Sequence, residues 1–127
     1  ILGGITGTPP NKEIRKTALG STESVDWRYF DKIEEAVLNL KKKGFQIISI
    51  EQADKSLKLE KFSPKKNKKY AFIFGNEIKG IDQKIIDISD DIIEIPQFGT
   101  KHSLNVSVSA GIVIWDVFSK ISFSQFD

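Results

Sequence analysis

Ser103-Leu104-Asn105-Val106-Ser107-Val108-Ser109-Ala110-Gly111-Ile112-Val113-Ile114 can be read in two ways, and the fold turns on the choice. Val106, Val108, Ala110, Ile112 and Ile114 recur at period two, with Ser107 and Ser109 between them, which is a strand pattern. Val106, Ala110, Val113 and Val117 recur at i, i+4, i+7 and i+11, which is a helical stripe. Ser103, Ser107 and Gly111 then make a small-residue face that another backbone can approach closely. Propensity favours the strand, and the length of the segment, Ser103 to Lys120, favours the helix.

Working backwards, Ile92 to Ile95 is a short apolar run stopped by Pro96. Tyr70 to Phe74 is another, stopped by Gly75, and Phe45 to Ile50 is a third. Between them, Ile81 to Ile88 has helical composition, and Ala53 to Pro64 reads as a turn of helix plus loop. Asp31 can cap a helix whose apolar face is Ile33, Val37, Leu38 and Leu40. That helix should end at Lys41, Lys42 and Lys43 followed by Gly44: cations in the last turn, then glycine. Further back, Asn11 can cap a helix over Lys12 to Leu19, with Gly20 as its stop. Ile1-Leu2 before Gly3-Gly4 resembles the end of a strand. Strands separated by helical stretches predict a parallel α/β sheet flanked by helices.

The 127 residues suit one domain, 1–127, with no internal repeat. Hydrophobic residues make up 39% and charged residues 28%, an ordinary globular balance. No uninterrupted apolar run approaches the roughly 18 residues of a bilayer span, and no stretch has a signal-peptide layout. We therefore expect no membrane association and a cytoplasmic location. There is no cysteine, which excludes disulfides and thiolate metal sites. The chain starts at Ile1 and has no methionine, so residues are expected ahead of it. The net charge of +2 hides a split: residues 1–69 carry 15 Lys/Arg against 9 Asp/Glu, and residues 70–127 carry 4 against 8. Lys41–Lys43 and the group Lys65, Lys66, Lys68 and Lys69 are basic clusters that could meet a phosphate backbone or simply be solvated.

Ligands gather beyond the carboxyl ends of parallel strands, so the loops there hold the candidate chemistry. The first is Phe74-Gly75-Asn76-Glu77-Ile78-Lys79-Gly80-Ile81. Gly75 removes a side chain where a backbone may touch a ligand, and Glu77 brings a carboxylate that could equally pin the Gly80 turn. The second, Ile95 to His102, holds the sole histidine, which has no partner cluster for a metal. The third, Ser103-Leu104-Asn105-Val106, offers free N–H groups if it opens a helix, although Ser103 could be merely its cap. The phosphate-loop lysine motif, the dinucleotide glycine fingerprint and a nucleophile elbow are all missing.

Phe74-Gly75-Asn76-Glu77 with Gly80-Ile81, then Ile95-Pro96, then Ser103-Leu104-Asn105-Val106-Ser107-Val108-Ser109-Ala110, resemble in order and spacing the second and third motifs of the SpoU (TrmH) branch of the SPOUT RNA methyltransferases. Gly3 to Gly20 resembles the stretch between that family's first and second motifs. The resemblance implies a parallel α/β sheet with a C-terminal deep trefoil knot, the last segment being a helix. Knots are otherwise nearly absent from proteins. It also implies a homodimer, bound S-adenosyl-L-methionine, and methylation of a ribose 2′-hydroxyl in tRNA or rRNA, with no metal. The cofactor would lie along Ile50, Gly75, Asn76, Ile95, Pro96 and Leu104. Glu77, Ser103 and Asn105 match the family's catalytic positions.

The family's first motif, an Asn followed by an Arg-Thr-Ala string, is absent and would precede Ile1. Asn11 to Gly20, with Arg15, Thr17 and Ala18, matches it poorly because the Asn-to-Arg spacing is short. An alternative is therefore a non-catalytic, knotted RNA-binding relative lacking the arginine. A flavodoxin-like signalling domain is more distant, since no acidic or phosphate-binding cluster marks a first strand.

Overall fold

The computed structural model describes residues 1–4, 24–99 and 104–123. They fall into two compact units, 1–39 and 40–127. In the first, β1 (Leu2–Gly3) pairs in parallel with β2 (Tyr29–Phe30). The Tyr29 hydroxyl closes the pair by donating to the Gly4 carbonyl at 2.5 Å. Helix α1 (Ile33–Lys42) follows, with Ala36 and Val37 buried. It begins two residues beyond Asp31. Its C-terminus is as expected: Lys41 and Lys42 in the last turn, then Gly44 at φ 86°.

The second unit is built on a four-stranded parallel sheet. Its strands are β3 (Phe45–Ile50), β4 (Leu57–Lys58), β5 (Lys69–Phe74) and β6 (Asp91–Glu94), in the order β4-β6-β3-β5. The three apolar runs of the sequence are thus adjacent strands. Ala53 to Pro64, expected to be a turn of helix plus loop, holds a 3-10 helical turn at Leu59–Lys61 and, in addition, the short strand β4. Two residues of strand paired to the end of β6 are too short for any sequence period to reveal.

The alternation of side chains along β3 distributes the core. Ile48 joins Leu59, Phe62, Ile93, Val113 and Val117 on one face, with Ile50, Phe72 and Phe74 against them. The Phe62 ring stands edge-on to Tyr70, centroids 5.6 Å apart. On the other face Ile47 and Ser49 are wholly buried. There the Ser49 hydroxyl meets that of Ser89 at 2.7 Å, at the end of helix α2 (Gln83–Ile88), which Asp82 caps. Asp90 sits where β6 would otherwise continue. Its Oδ2 accepts the Ile47 N–H at 2.7 Å, and its own N–H donates to the Ile47 carbonyl at 2.8 Å.

The ambiguous last segment is a helix, α3 (Val106–Phe123). The helical stripe decides it. Val113 and Val117 are buried, whereas Ile112 and Ile114, which a strand reading would put on the same face as Val106, are exposed. The helix also runs three residues beyond Lys120, where the sequence reading ended it. Lys120 anchors its far end: Nζ donates to the carbonyls of Leu59 at 2.8 Å and Phe62 at 2.9 Å and pairs with Asp116 at 2.7 Å. By length and composition α3 is long and apolar enough to cross a membrane, with a mean hydropathy of 1.4 over 18 residues. Counting uninterrupted apolar runs missed this, because serines, Asp116 and Lys120 break the run. Much of the apolar surface is uncovered within the chain. Trp115, Phe118 and Phe123 are each more than half exposed and lie within 6.5 Å of one another, centroid to centroid. The expected helix over Lys12 to Leu19 lies outside the described residues.

Candidate functional site

Strands β3 and β5 end at Ile50 and Phe74, and β6 at Glu94. Beyond these carboxyl ends lies an open cleft of about 980 Å³, at the upper end of the roughly 300–1,000 Å³ of small-molecule sites. Ile50, Phe74, Ile95 and Leu104 supply apolar wall, and the loop after β5 and the start of α3 close the rim.

That loop is held by its own backbone and by one distant carboxylate. Asn76 Oδ1 accepts the N–H groups of Ile78 at 2.8 Å and Lys79 at 3.2 Å, an Asx turn. Gly80 N–H donates back to the Asn76 carbonyl at 2.8 Å. Gly80 adopts φ 68°, where a side chain is strained, and a Cβ there would also meet Glu51 Oε2 at 2.7 Å. Glu51 Oε2 accepts the Ile81 N–H at 3.0 Å, tying the end of the loop to the end of β3.

Gly75 lines the cleft, and the loop itself gives a reason for glycine there. A Cβ at position 75 would strike the carbonyl carbon of Gly80, with the Ile81 nitrogen at 2.6 Å and the Gly80 oxygen at 2.7 Å. The returning loop alone leaves no room for a side chain. Glu77 reaches across to the start of α3. Its Oε1 accepts the N–H of Val106, the first residue of α3, at 3.3 Å. A carboxylate there satisfies one of the helix's unpaired donors and faces the positive end of its dipole.

Of the residues singled out in the sequence, Ile50, Gly75, Asn76, Glu77, Ile95 and Leu104 all line this one cleft. Pro96 does not, although its neighbours Ile95 and Gln97 do. Asn105 is exposed beside the rim and is not among the lining residues; its carbonyl accepts the Ser109 N–H in the first turn of α3. Ser103, His102 and Arg15 lie outside the described residues. Glu51 was missed. Its signal was a carboxylate directly after a buried β-branched run, at a strand's carboxyl end. Among the described residues, the charged members of the lining are Glu51, Asp54 and Glu77 against Lys55 and Lys79, a slightly acidic set.

Residues 2–115 match the model of the SpoU rRNA Methylase family. The chain is 32% identical over 93 residues to the tRNA (guanosine(18)-2′-O)-methyltransferase of Aquifex aeolicus, covering 71% of this chain and 43% of that protein. It is 35% identical over 107 residues to an uncharacterised tRNA/rRNA methyltransferase of Borreliella burgdorferi, covering 84% of this chain and 46% of the other. It therefore spans about half the length of the curated relatives it matches. The crystal structure of the A. aeolicus TrmH/SpoU tRNA modifying enzyme superposes with a TM-score of 0.77 at 28% identity, covering 87% of this chain and 55% of that one. An AdoMet-bound rRNA methyltransferase from Sinorhizobium meliloti shares the fold, with a TM-score of 0.82 at 22% identity over 92% of this chain and 44% of the other. With nearly the whole sequence inside one family model, and an α/β parallel sheet that superposes on SpoU structures, the chain belongs to the SpoU rRNA methylase family.

Proposed function

We propose that this chain is the cofactor-binding part of an S-adenosyl-L-methionine-dependent RNA methyltransferase that modifies a ribose 2′-hydroxyl of tRNA or rRNA in the cytoplasm. The observation that carries the reading is the convergence of the two family motifs on one cleft: Gly75, Asn76 and Glu77 from the loop after β5, and Leu104 from the approach to α3. The donor set fits the cofactor. Half-buried Ile50, Ile95 and Leu104 offer an apolar slot for an adenosine, and the acidic bias of the lining suits a ligand carrying sulfonium and ammonium charge. When bound, S-adenosyl-L-methionine supplies an electrophilic methyl group.

The chain's own residues then have positioning work. A ribose hydroxyl is a weak nucleophile, so it must be held in line and lose its proton. Asn105, directly before α3, and Ser103, two residues ahead of it in the sequence, would orient the ribose by hydrogen bonds. Glu77 would fix the start of α3 against the loop, keeping it at a set distance from the cofactor slot. The base is assigned, by likeness to the family, to an arginine of the first motif ahead of Ile1. The reading extends to one SpoU-type domain whose C-terminal segment closes a trefoil knot, and to a homodimer. The exposed Trp115, Phe118 and Phe123 support the homodimer, because an aromatic cluster of this kind is an association surface.

Calorimetric titration with S-adenosyl-L-methionine and S-adenosylhomocysteine, followed by transfer of a labelled methyl group to tRNA and rRNA, tests the proposal. Saturable binding at about one ligand per chain, with label at a ribose 2′ position, is expected. Binding without transfer in the complete protein would replace the enzyme by a non-catalytic RNA-binding relative. A folded, dimeric protein that binds neither ligand would remove the cofactor reading altogether.

A further inference from the structure

The two lysine clusters, 22 or more residues apart in sequence, are brought together by the sheet. Phe45, which follows Lys41–Lys43, is the register partner of Lys69, which ends the second cluster. Lys69 Nζ lies 5.6 Å from the centroid of the Phe45 ring. Neighbouring strands are about 4.8 Å apart, so both clusters flank one sheet edge, at the amino ends of β3 and β5. This is the edge opposite the cleft, about 17–20 Å away along strands of six residues.

Helix chemistry explains part of the charge. Lys41 and Lys42 complement the dipole at the end of α1, and Lys41 makes the edge's ion pair, with Asp90 at 3.9 Å. It does not explain Lys65, Lys66 and Lys68, where no helix ends. These three are exposed, and none makes an ion pair with a described carboxylate. They are also held in place: Lys68 N–H donates to the Lys65 carbonyl at 3.1 Å, and Lys65 N–H donates to the Tyr70 hydroxyl at 2.8 Å. The turn thus concentrates like charges that no described carboxylate neutralises. Among the described residues, the cleft lining carries three carboxylates against two lysines.

We propose that this lysine edge is a docking surface for the phosphate backbone of a structured RNA, separate from the cleft and holding the substrate while another part of it reaches the cofactor. The proposal rests on the reading that the substrate is RNA. Lysine ammoniums act as point charges on phosphates and read no bases. The contact is therefore sequence-independent and dominated by counterion release.

The test is a salt titration of folded tRNA binding to the full chain, followed by fluorescence anisotropy. The variants are Lys65→Glu/Lys66→Glu/Lys68→Glu, its all-Gln counterpart in case the reversed charges unfold the turn, and a control of equal charge change, Lys58→Glu/Lys61→Glu/Lys84→Glu. At about 0.7–0.9 per lost phosphate contact, the slope of log K against log salt should fall by about 2 in the edge variants. Affinity at low salt should drop about tenfold or more, and the control should lose less than about threefold. Affinity for S-adenosyl-L-methionine should stay unchanged throughout. Edge variants that behave like the control overturn the docking surface and leave the methyltransferase reading intact. Wild-type protein that binds no RNA at any salt concentration overturns both. A wild type that binds RNA through the edge but not S-adenosyl-L-methionine supports the docking surface and sinks the cofactor reading.

Discussion

The two ends of the β3–β5 pair are built on opposite principles. At the carboxyl end, main-chain N–H groups of the loop donate to the side chains of Asn76 and Glu51 and to the Asn76 carbonyl, and there is no room for an added Cβ at position 75. At the amino end, lysines stand in solvent on a turn whose geometry depends on main-chain groups and the Tyr70 hydroxyl. Substitutions at the first end should therefore act through shape, and substitutions at the second through charge. Four measurements, in falling order of effect, can break or sharpen this contrast.

Gly75→Ala should be the most damaging. Its Cβ meets backbone, which cannot swing aside, so we expect a loss of about 2–3 kcal/mol in urea unfolding and no measurable binding of S-adenosyl-L-methionine. A variant of wild-type stability would mean that the loop closes differently. Glu51→Ala strips the acceptor from the part-buried Ile81 N–H and should cost about 1–3 kcal/mol. Glu51→Gln, which keeps an oxygen there, should recover most of that loss in the same measurement. Glu77→Ala uncaps α3 and should cost about 1 kcal/mol; hydrogen exchange at Val106 and Ser107 should rise before that of the helix centre. The triple Lys65→Gln/Lys66→Gln/Lys68→Gln variant should leave stability within about 0.5 kcal/mol of wild type. A large loss there would show that these lysines hold the fold, and the contrast between the ends would collapse.

The same contrast explains what the sequence disclosed. Phe45–Ile50, Tyr70–Phe74 and Ile92–Ile95 were legible because parallel strands buried on both faces are continuous apolar runs. Lys41–Lys43 before Gly44 gave the end of α1 because a helix terminus is a local event. The last segment satisfied two periods at once, and in the structure the burial of Val113 and Val117 separates them. Most cleft residues were found through motifs. The reason for Gly75 was not, because its constraint comes from Gly80 and Ile81 folding back upon it. Glu51 escaped for the same reason: its partner lies 30 residues further along the chain. Two-residue strands such as β2 and β4 exist only through their partners and have no signature of their own.

Asp90 gives β6 something like the zero mark of a ruler. Its carboxylate and its amide hold the two polar groups of Ile47, so the strand starts at one fixed graduation and cannot slide. A slip of one residue would turn Ile93 out of the core and bring a neighbour in. At about 3.3 Å per residue, the same mark also fixes where Ile95 arrives, five residues on, at the wall of the cleft. The position of the cleft wall is thus set from the far edge of the sheet, by an aspartate that does not line it.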